Sequence, residues 1–472
     1  MAFPSHRLVF ALFLSVLNLQ GAALSLDEAI ALLKAQNLEI KAAALDAKNA
    51  HNDLRIAQGY NFGSLDFTQT ALRSNDAGNV FGFKLSSRQA TFGDFGFSEF
   101  LAPMGQALLG ANAQALTPAS IQGMNSILAI QPKDLNYPGY QNYFQSKLTY
   151  MLPIYTGGKL SGYSKIAREM EKIKQLDATK VTAEKIYETR KSYYDMALLQ
   201  HSLEQMTVIQ KNMEKLHAKT KEMVAEGYAK KVDLLEIEAK KANVDRMVLE
   251  MGSNKKLLLH YISFLLNQKT DEIAIPKDDN AITTADEASV MSNNTDLKKA
   301  SHGLAVRSSM VDVAMAPFLP TLGVFGEASS ANDTLMRNMH AHAAYTVGAK
   351  LSWNLFNGAV DAHNFEKARI DRLKTATEVE MAKKGIALQY DKLHTEIENL
   401  DEQIVSLEKE RALATEITKN YEGRYHEHLV SMSDLIIKQS NEIEKIMTLQ
   451  SVKNQRNERI FALEKLNYGV NQ

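Results

Sequence analysis

Asp233 and Asp434 lie 201 positions apart, each followed by leucine, each where a very long proline-free run gives way to a shorter one. A carboxylate there can cap the start of a helix, and Asp233 with Glu236 three residues later has the form of a capping box. Set in rings by several copies of one chain, the same acids would favour cations and steer an opening. Lys230 and Lys231 beside the first acid fit a solvated turn, or charges that hold a closed state or meet a partner. A second cluster, "LMRNMHAHAAY", brings together Met336, Met339, His340 and His342. On a strand the two histidines would point the same way and, with methionine, suit copper or silver; a polar hairpin tip is the plainer expectation. Enzyme signatures fail. "GGKLS" lacks the upstream glycine of a phosphate loop, and Leu160 stands where Ser or Thr is needed. His426 and His428 are two apart rather than four, and no Gly-x-Ser-x-Gly elbow occurs. No catalytic residue, resident metal or cofactor is expected.

The elements that carry these residues come in two copies. At the 201-residue offset Gly157 maps to Gly358, Ala167-Arg168 to Ala368-Arg369 and Asp233-Leu234 to Asp434-Leu435, with no insertion between. A spacing kept that strictly suits a rigid rod, since loops tolerate insertions. Helices are expected over about 159–225 and 232–266, then 361–425 and 433–466. A helix of about 65 residues is ~100 Å long and needs lateral coiled-coil packing. Shorter helices, about 40–58 and 298–316, precede the strands and could stack end to end with the shorter members. Upstream, Asp27-Glu28-Ala29 aligns with Asp286-Glu287-Ala288 and Leu38 with Leu297, an offset of 259. The first copy then holds 58 extra residues (259 − 201), falling at about 74–142 and rich in Pro, Gly, Asn and Phe. They suggest a long loop or elaborated hairpin. The expected repeats span 24–268 and 269–472.

Candidate strands are 61–72, 143–155, 321–329 and 343–356. "YFQSKLTYML" and "YTVGAKLSWNL" alternate polar with apolar or aromatic residues, as strands with one wet and one greasy side do. Aromatics stand at their ends: Tyr143, Phe144, Tyr155, Trp353 and Phe356. Residues 1–23, with Arg7, an apolar run from Leu8 to Leu19 and small residues to Ala23, have the form of a secretory signal and are too short to span a membrane. Net charge is −1, so no nucleic-acid partner is expected, and cysteine is absent. Four strands cannot close a membrane barrel, and open edges in lipid cost several kcal/mol per unsatisfied group. If the strands span a membrane, the barrel is shared; three chains would supply 12 strands.

At this point the chain resembles a known family. The duplicated plan, the breaks "LPIYTGG" and "LFNGA", "FLP" at Phe318 to Pro320 and the Asp-Leu turns are similar, over nearly the whole mature chain, to the TolC-like outer-membrane efflux proteins. The resemblance implies a mainly α fold with membrane β: a homotrimer whose 12-stranded β-barrel, set in outer-membrane lipid, continues as a 12-helix α-barrel in the periplasm. It implies the exit duct of an efflux or type I secretion system, docked to a periplasmic adaptor and an inner-membrane pump. The expected tunnel mouth and adaptor contact comprise Gly227, Tyr228, Asp233, His428, Leu429 and Asp434. The family's turn has a glycine six residues before the aspartate; Gly227 supplies it, whereas the second copy has His428. Pro153, Gly157, Gly158 and Gly358 mark the expected strand-to-helix seams. A periplasmic coiled-coil protein without a pore is the alternative.

Overall fold

The computed structural model describes residues 23–110, 126–276, 285–427 and 429–469. The expected signal segment lies outside them, apart from Ala23. The order is α1 (Leu26–Gln36), α2 (Leu38–Gly59), β1 (Ser64–Ser74), α3 (Ala77–Ser86), α4 (Phe97–Gly110), α5 (Lys133–Asn136), β2 (Gln141–Thr156), α6 (Lys159–Ala225) and α7 (Lys231–Leu266). The second half gives α8 (Glu287–Asn293), α9 (Thr295–Met315), β3 (Thr321–Asn332), β4 (Ala343–Ser352), α10 (Val360–His426) and α11 (Met432–Asn467). Both α6 and α10 have 67 residues, and both α7 and α11 have 36, so the duplication holds in length. Among the described residues no helix is long and apolar enough to cross a membrane.

The chain forms two compact units. The first combines Met1–His51, Glu169–Ala305 and Lys374–Gln472. Leu176, Ala183, Ile186, Tyr193, Met196, Met206 and Met213 are buried along α6 in steps of seven, three and ten residues. Two apolar clusters close this unit, one holding Leu33, Met196, Ile262 and Leu265, the other Val290, Ile397, Leu463 and Leu466. Three of these pairs obey the 201 offset, and Leu33 with Val290 obeys one of 257. The shorter helices meet in kind. Asn37, between α1 and α2, donates its side-chain amide to Leu265 O at 2.8 Å and accepts Ile40 N–H at 3.0 Å. Asn294, between α8 and α9, does the same with Leu466 O at 2.9 Å and Leu297 N–H at 3.0 Å. The upstream offset is therefore 257, not the expected 259, and the first copy carries 56 extra residues (257 − 201). The shared "DEA" misleads because these short helices are registered by the buried asparagine at their break.

The second unit combines Asn52–Arg168 and Val306–Leu373. Its sheet is antiparallel throughout, in the order β1-β2-β3-β4. Pairing sets Leu65, Phe67, Leu148, Tyr150, Val324, Tyr345, Val347 and Leu351 on one face. The other face carries Asp66, Thr68, Thr70, Gln145, Lys147, Thr149, Glu327, Thr346 and Lys350. Lys147 and Glu327 form a 2.6 Å ion pair there. A cavity of about 890 Å³ at the helix-proximal end, lined by Ser64, Met151, Pro153, Phe325, Lys350 and Ser352 among others, opens on the polar face, which is concave there.

Of the two forms expected for the stretch between β1 and β2, the elaborated hairpin fits, because its described part folds into α3, α4 and α5. Two expectations need correction here. Residues 353–356 lie beyond the last β4 pair, Thr321 with Ser352, so no strand stands opposite to extend the ladder. Tyr143 is not an interfacial girdle residue: it belongs to the polar face and is buried under Phe83 of α3.

Candidate functional site

The first hairpin tip begins where α6 ends. Gly227 takes φ of +79°, and Tyr228 N–H reaches back to Met223 O at 2.8 Å while Gly227 N–H bonds Val224 O at 3.3 Å. This is the Schellman closure that a left-handed residue makes possible. Lys230 is the N-cap of α7, and its backbone N–H donates to the Asp233 carboxylate at 3.0 Å. Its ammonium, a donor only, cannot return the bond to the helix, so the box is half made. Glu236 pairs with Lys240 at 3.1 Å instead of capping. The expected box of Asp233 with Glu236 is thus displaced by one turn: the aspartate closes the box rather than opening it.

The second tip shows the complete version. Ser431 caps α11, with Asp434 N–H donating to Ser431 Oγ at 3.1 Å and Ser431 N–H and Oγ donating to the Asp434 carboxylate at 3.2 and 2.6 Å. These bonds, chiefly that from the Ser431 hydroxyl, hold the Asp434 carboxyl below its ordinary range. Leu429 N–H bonds Arg424 O at 2.9 Å, the positional equivalent of Tyr228 to Met223. That one bond is present in the second copy, where His428 stands in place of the glycine; His428 itself lies outside the described residues. Tyr228, Leu429, Asp233, Asp434, Lys230 and Lys231 are all exposed. Below the tips the copies differ. Ile436 is buried, whereas its counterpart Leu235 stands open. Tyr421 lies between Arg424 and Lys438, whose cationic groups sit 5.6 and 5.3 Å from its ring centre.

At the first seam Gly157 and Gly158 take φ of +64° and +84°, turning the chain from β2 into α6. A Cβ on Gly157 would come within 2.5 Å of Ala316 O. Pro153 sits beside a bulge, as the β2–β3 register shifts between Pro153 and Tyr155. At the second seam Gly358 takes +71° and Ala359, in the place of Gly158, takes +64°. Asn357 and Asp361 hold that corner through a 2.6 Å side-chain bond.

The Met/His stretch forms the β3–β4 connection rather than a strand, so alternation does not align His340 with His342. Met339 O accepts from Ser330 Oγ, and the His342 ring bonds Ser87 O. Among the described residues no group of three or more His, Cys, Asp or Glu gathers as a metal site. The residues that sequence reasoning missed are Ser431, Asn37 and Asn294. Each is a small polar residue at a break between apolar-periodic runs, which is the signal that could have found it.

Comparison with known proteins agrees with this geometry. The sequence pattern of the outer membrane efflux protein family matches residues 288–459, within the second copy. No curated protein matches the chain in sequence. In fold it is similar to the Campylobacter jejuni CmeC outer membrane channel, with 14% identity, a TM-score of 0.74, and 94% of this chain and 85% of that one covered. The open-state Neisseria gonorrhoeae MtrE outer membrane channel gives 13% identity, a TM-score of 0.69 and coverage of 94% and 89%. VceC, an outer membrane protein from Vibrio cholerae, gives 14%, 0.70, and 94% and 96%. The resemblance to the TolC-like outer-membrane efflux proteins therefore stands: the fold is shared along the chain, and the family's sequence pattern is carried by its second copy.

Proposed function

We propose that three copies of this chain close their sheets into one 12-stranded β-barrel in the outer membrane, continued by a tube of their long helices in the periplasm. The observation that carries this reading is the sheet itself. It has a convex apolar face, a concave polar face with an ion pair and, among the described residues, two unpaired edges, β1 and β4. Such edges bind more strand, and only closure removes them. With lipid outside and water inside, each face meets its own solvent. A periplasmic coiled coil without a pore would leave Tyr345, Val347 and Leu351 facing water. Exposed Leu249, Leu257 and Phe264 along α7 offer the apolar surface that a neighbouring copy would cover.

In this reading the channel is a passive exit duct for efflux or type I secretion. A periplasmic adaptor and an inner-membrane pump supply substrate and energy at the hairpin tips, where Asp233 and Asp434 would ring the mouth. Purified protein in a planar bilayer should give discrete, cation-preferring conductance steps and run as a trimer in detergent. Asp233→Asn with Asp434→Asn should lower the cation preference. A monomeric, non-conducting protein would sink the channel, and unchanged selectivity in the double variant would reduce both acids to caps.

A further inference from the structure

Between β1 and β2 the chain builds a braced helical body at the sheet end farthest from the long helices. Glu99 of α4 accepts the backbone N–H groups of Lys133 and Asp134 at 2.7 and 3.4 Å, tying α4 to α5. Lys84 of α3 pairs with Asp94, and Gly96 lies so close to Pro132 that an added Cβ would come within 2.2 Å of it. Three contacts seat this body on the sheet and its β3–β4 connection. The Phe83 ring stacks on Tyr143 with centroids 4.4 Å apart and planes 13° from parallel. The Gln89 amide donates to Asn332 Oδ1 at 2.9 Å, and Asn332 in turn donates to Arg337 O at 2.7 Å. Ser87 O bonds the His342 ring. Tyr143 and Ala331, both buried, belong to the concave polar face, the one that also carries Thr70, Lys147 and Glu327, whereas Asn332, opposite Phe144 at the outer end of β3, belongs to the other face.

We propose that the body built of α3, α4 and α5 is an outer cap. It lies across the water-facing side of the barrel's outer end, latched there by Phe83 on Tyr143 and tied to the end of β3 by Gln89 on Asn332, and it sets the size of solute that can pass there. The placement decides this. A loop folded against the apolar face would sit in lipid, whereas a body seated on the concave face projects over the lumen from each copy. The proposal rests on the channel reading above, and the test separates the two.

Full-length protein is compared with Phe83→Ala/Gln89→Ala, which removes the latch and leaves the strands and hairpin tips untouched. The unlatched protein should give larger unitary conductance and admit larger neutral polymers into the pore. As a second readout, Thr70→Cys places the chain's one thiol on the concave face; cysteine is otherwise absent. In intact cells an impermeant thiol reagent added outside should react faster at that thiol when the latch is removed. Equal conductance, polymer cut-off and labelling rate with and without the latch would overturn the cap while leaving the channel standing. A parent protein without any conductance step would overturn both.

Discussion

Ala359 holds a backbone angle that its counterpart, Gly158, can reach without strain: φ is +64° in one and +84° in the other. A left-handed non-glycine residue costs roughly 1–2 kcal/mol, part of which glycine returns as unfolded-chain entropy. Ala359→Gly is therefore expected to stabilise by about 0.5–1 kcal/mol, and Gly158→Ala to destabilise by a similar amount, read from denaturant midpoints. Gly157→Ala should cost more than Gly158→Ala, because its Cβ meets a backbone carbonyl while Gly158 faces open space. If the two glycine variants cost the same, the close approach to Ala316 is not what selects glycine there. A pH effect belongs to Asp434. Its folded carboxyl titrates below the unfolded one, so its stabilising contribution is complete above the ordinary carboxylate range and disappears as pH falls through the depressed folded value. Hydrogen exchange in the first turn of α11 should accelerate in acid, and Ser431→Ala should abolish most of that dependence.

Helix ends depend on side chains that span a break. Asn37 and Asn294 are each buried and each satisfy one carbonyl of a finishing helix and one N–H of a starting helix. Alanine at either position would leave a buried donor and acceptor unpaired, at about 1–3 kcal/mol. Comparable losses for Asn37→Ala and Asn294→Ala in thermal unfolding are expected; a loss at only one would mean the two junctions are not energetically alike. The helix spans themselves were plain in the sequence. A long proline-free run with apolar residues three or four apart has few other solutions, and the ends of all four long helices fall within a residue of the expected ones. The caps were less plain. A box of Ser431 with Asp434 and one of Asp233 with Glu236 look equally good locally, and the choice is made by where the preceding turn lets the backbone close.

The two-faced sheet makes a sharper demand on the assembled protein. Val347 and Thr346 are neighbours on β4 and lie on opposite faces of the sheet, which the proposed channel sets against lipid and lumen respectively. Lysine at the lipid face costs about 2–4 kcal/mol near the bilayer midplane, while lumen positions accept charge. Val347→Lys should therefore lower the heat stability of the reconstituted protein markedly, and Thr346→Lys should leave it intact but alter conductance. Equal tolerance of both would reverse the assignment of faces or remove the membrane.

Periodicity is a local property, and it carried what depends on neighbours along the chain: the duplication, the lengths of the helices, the alternation of the strands and the glycine breaks between them. Register and sidedness are not local. Whether the upstream offset is 259 or 257 depends on which residue meets Leu265 or Leu466 from more than a hundred positions away. Whether Tyr143 greets lipid or lies beneath Phe83 depends on how the residues between β1 and β2 fold back over the sheet. Those contacts are made across long chain separations, where two-residue and three-residue periods are silent, and only the packed structure could choose among them.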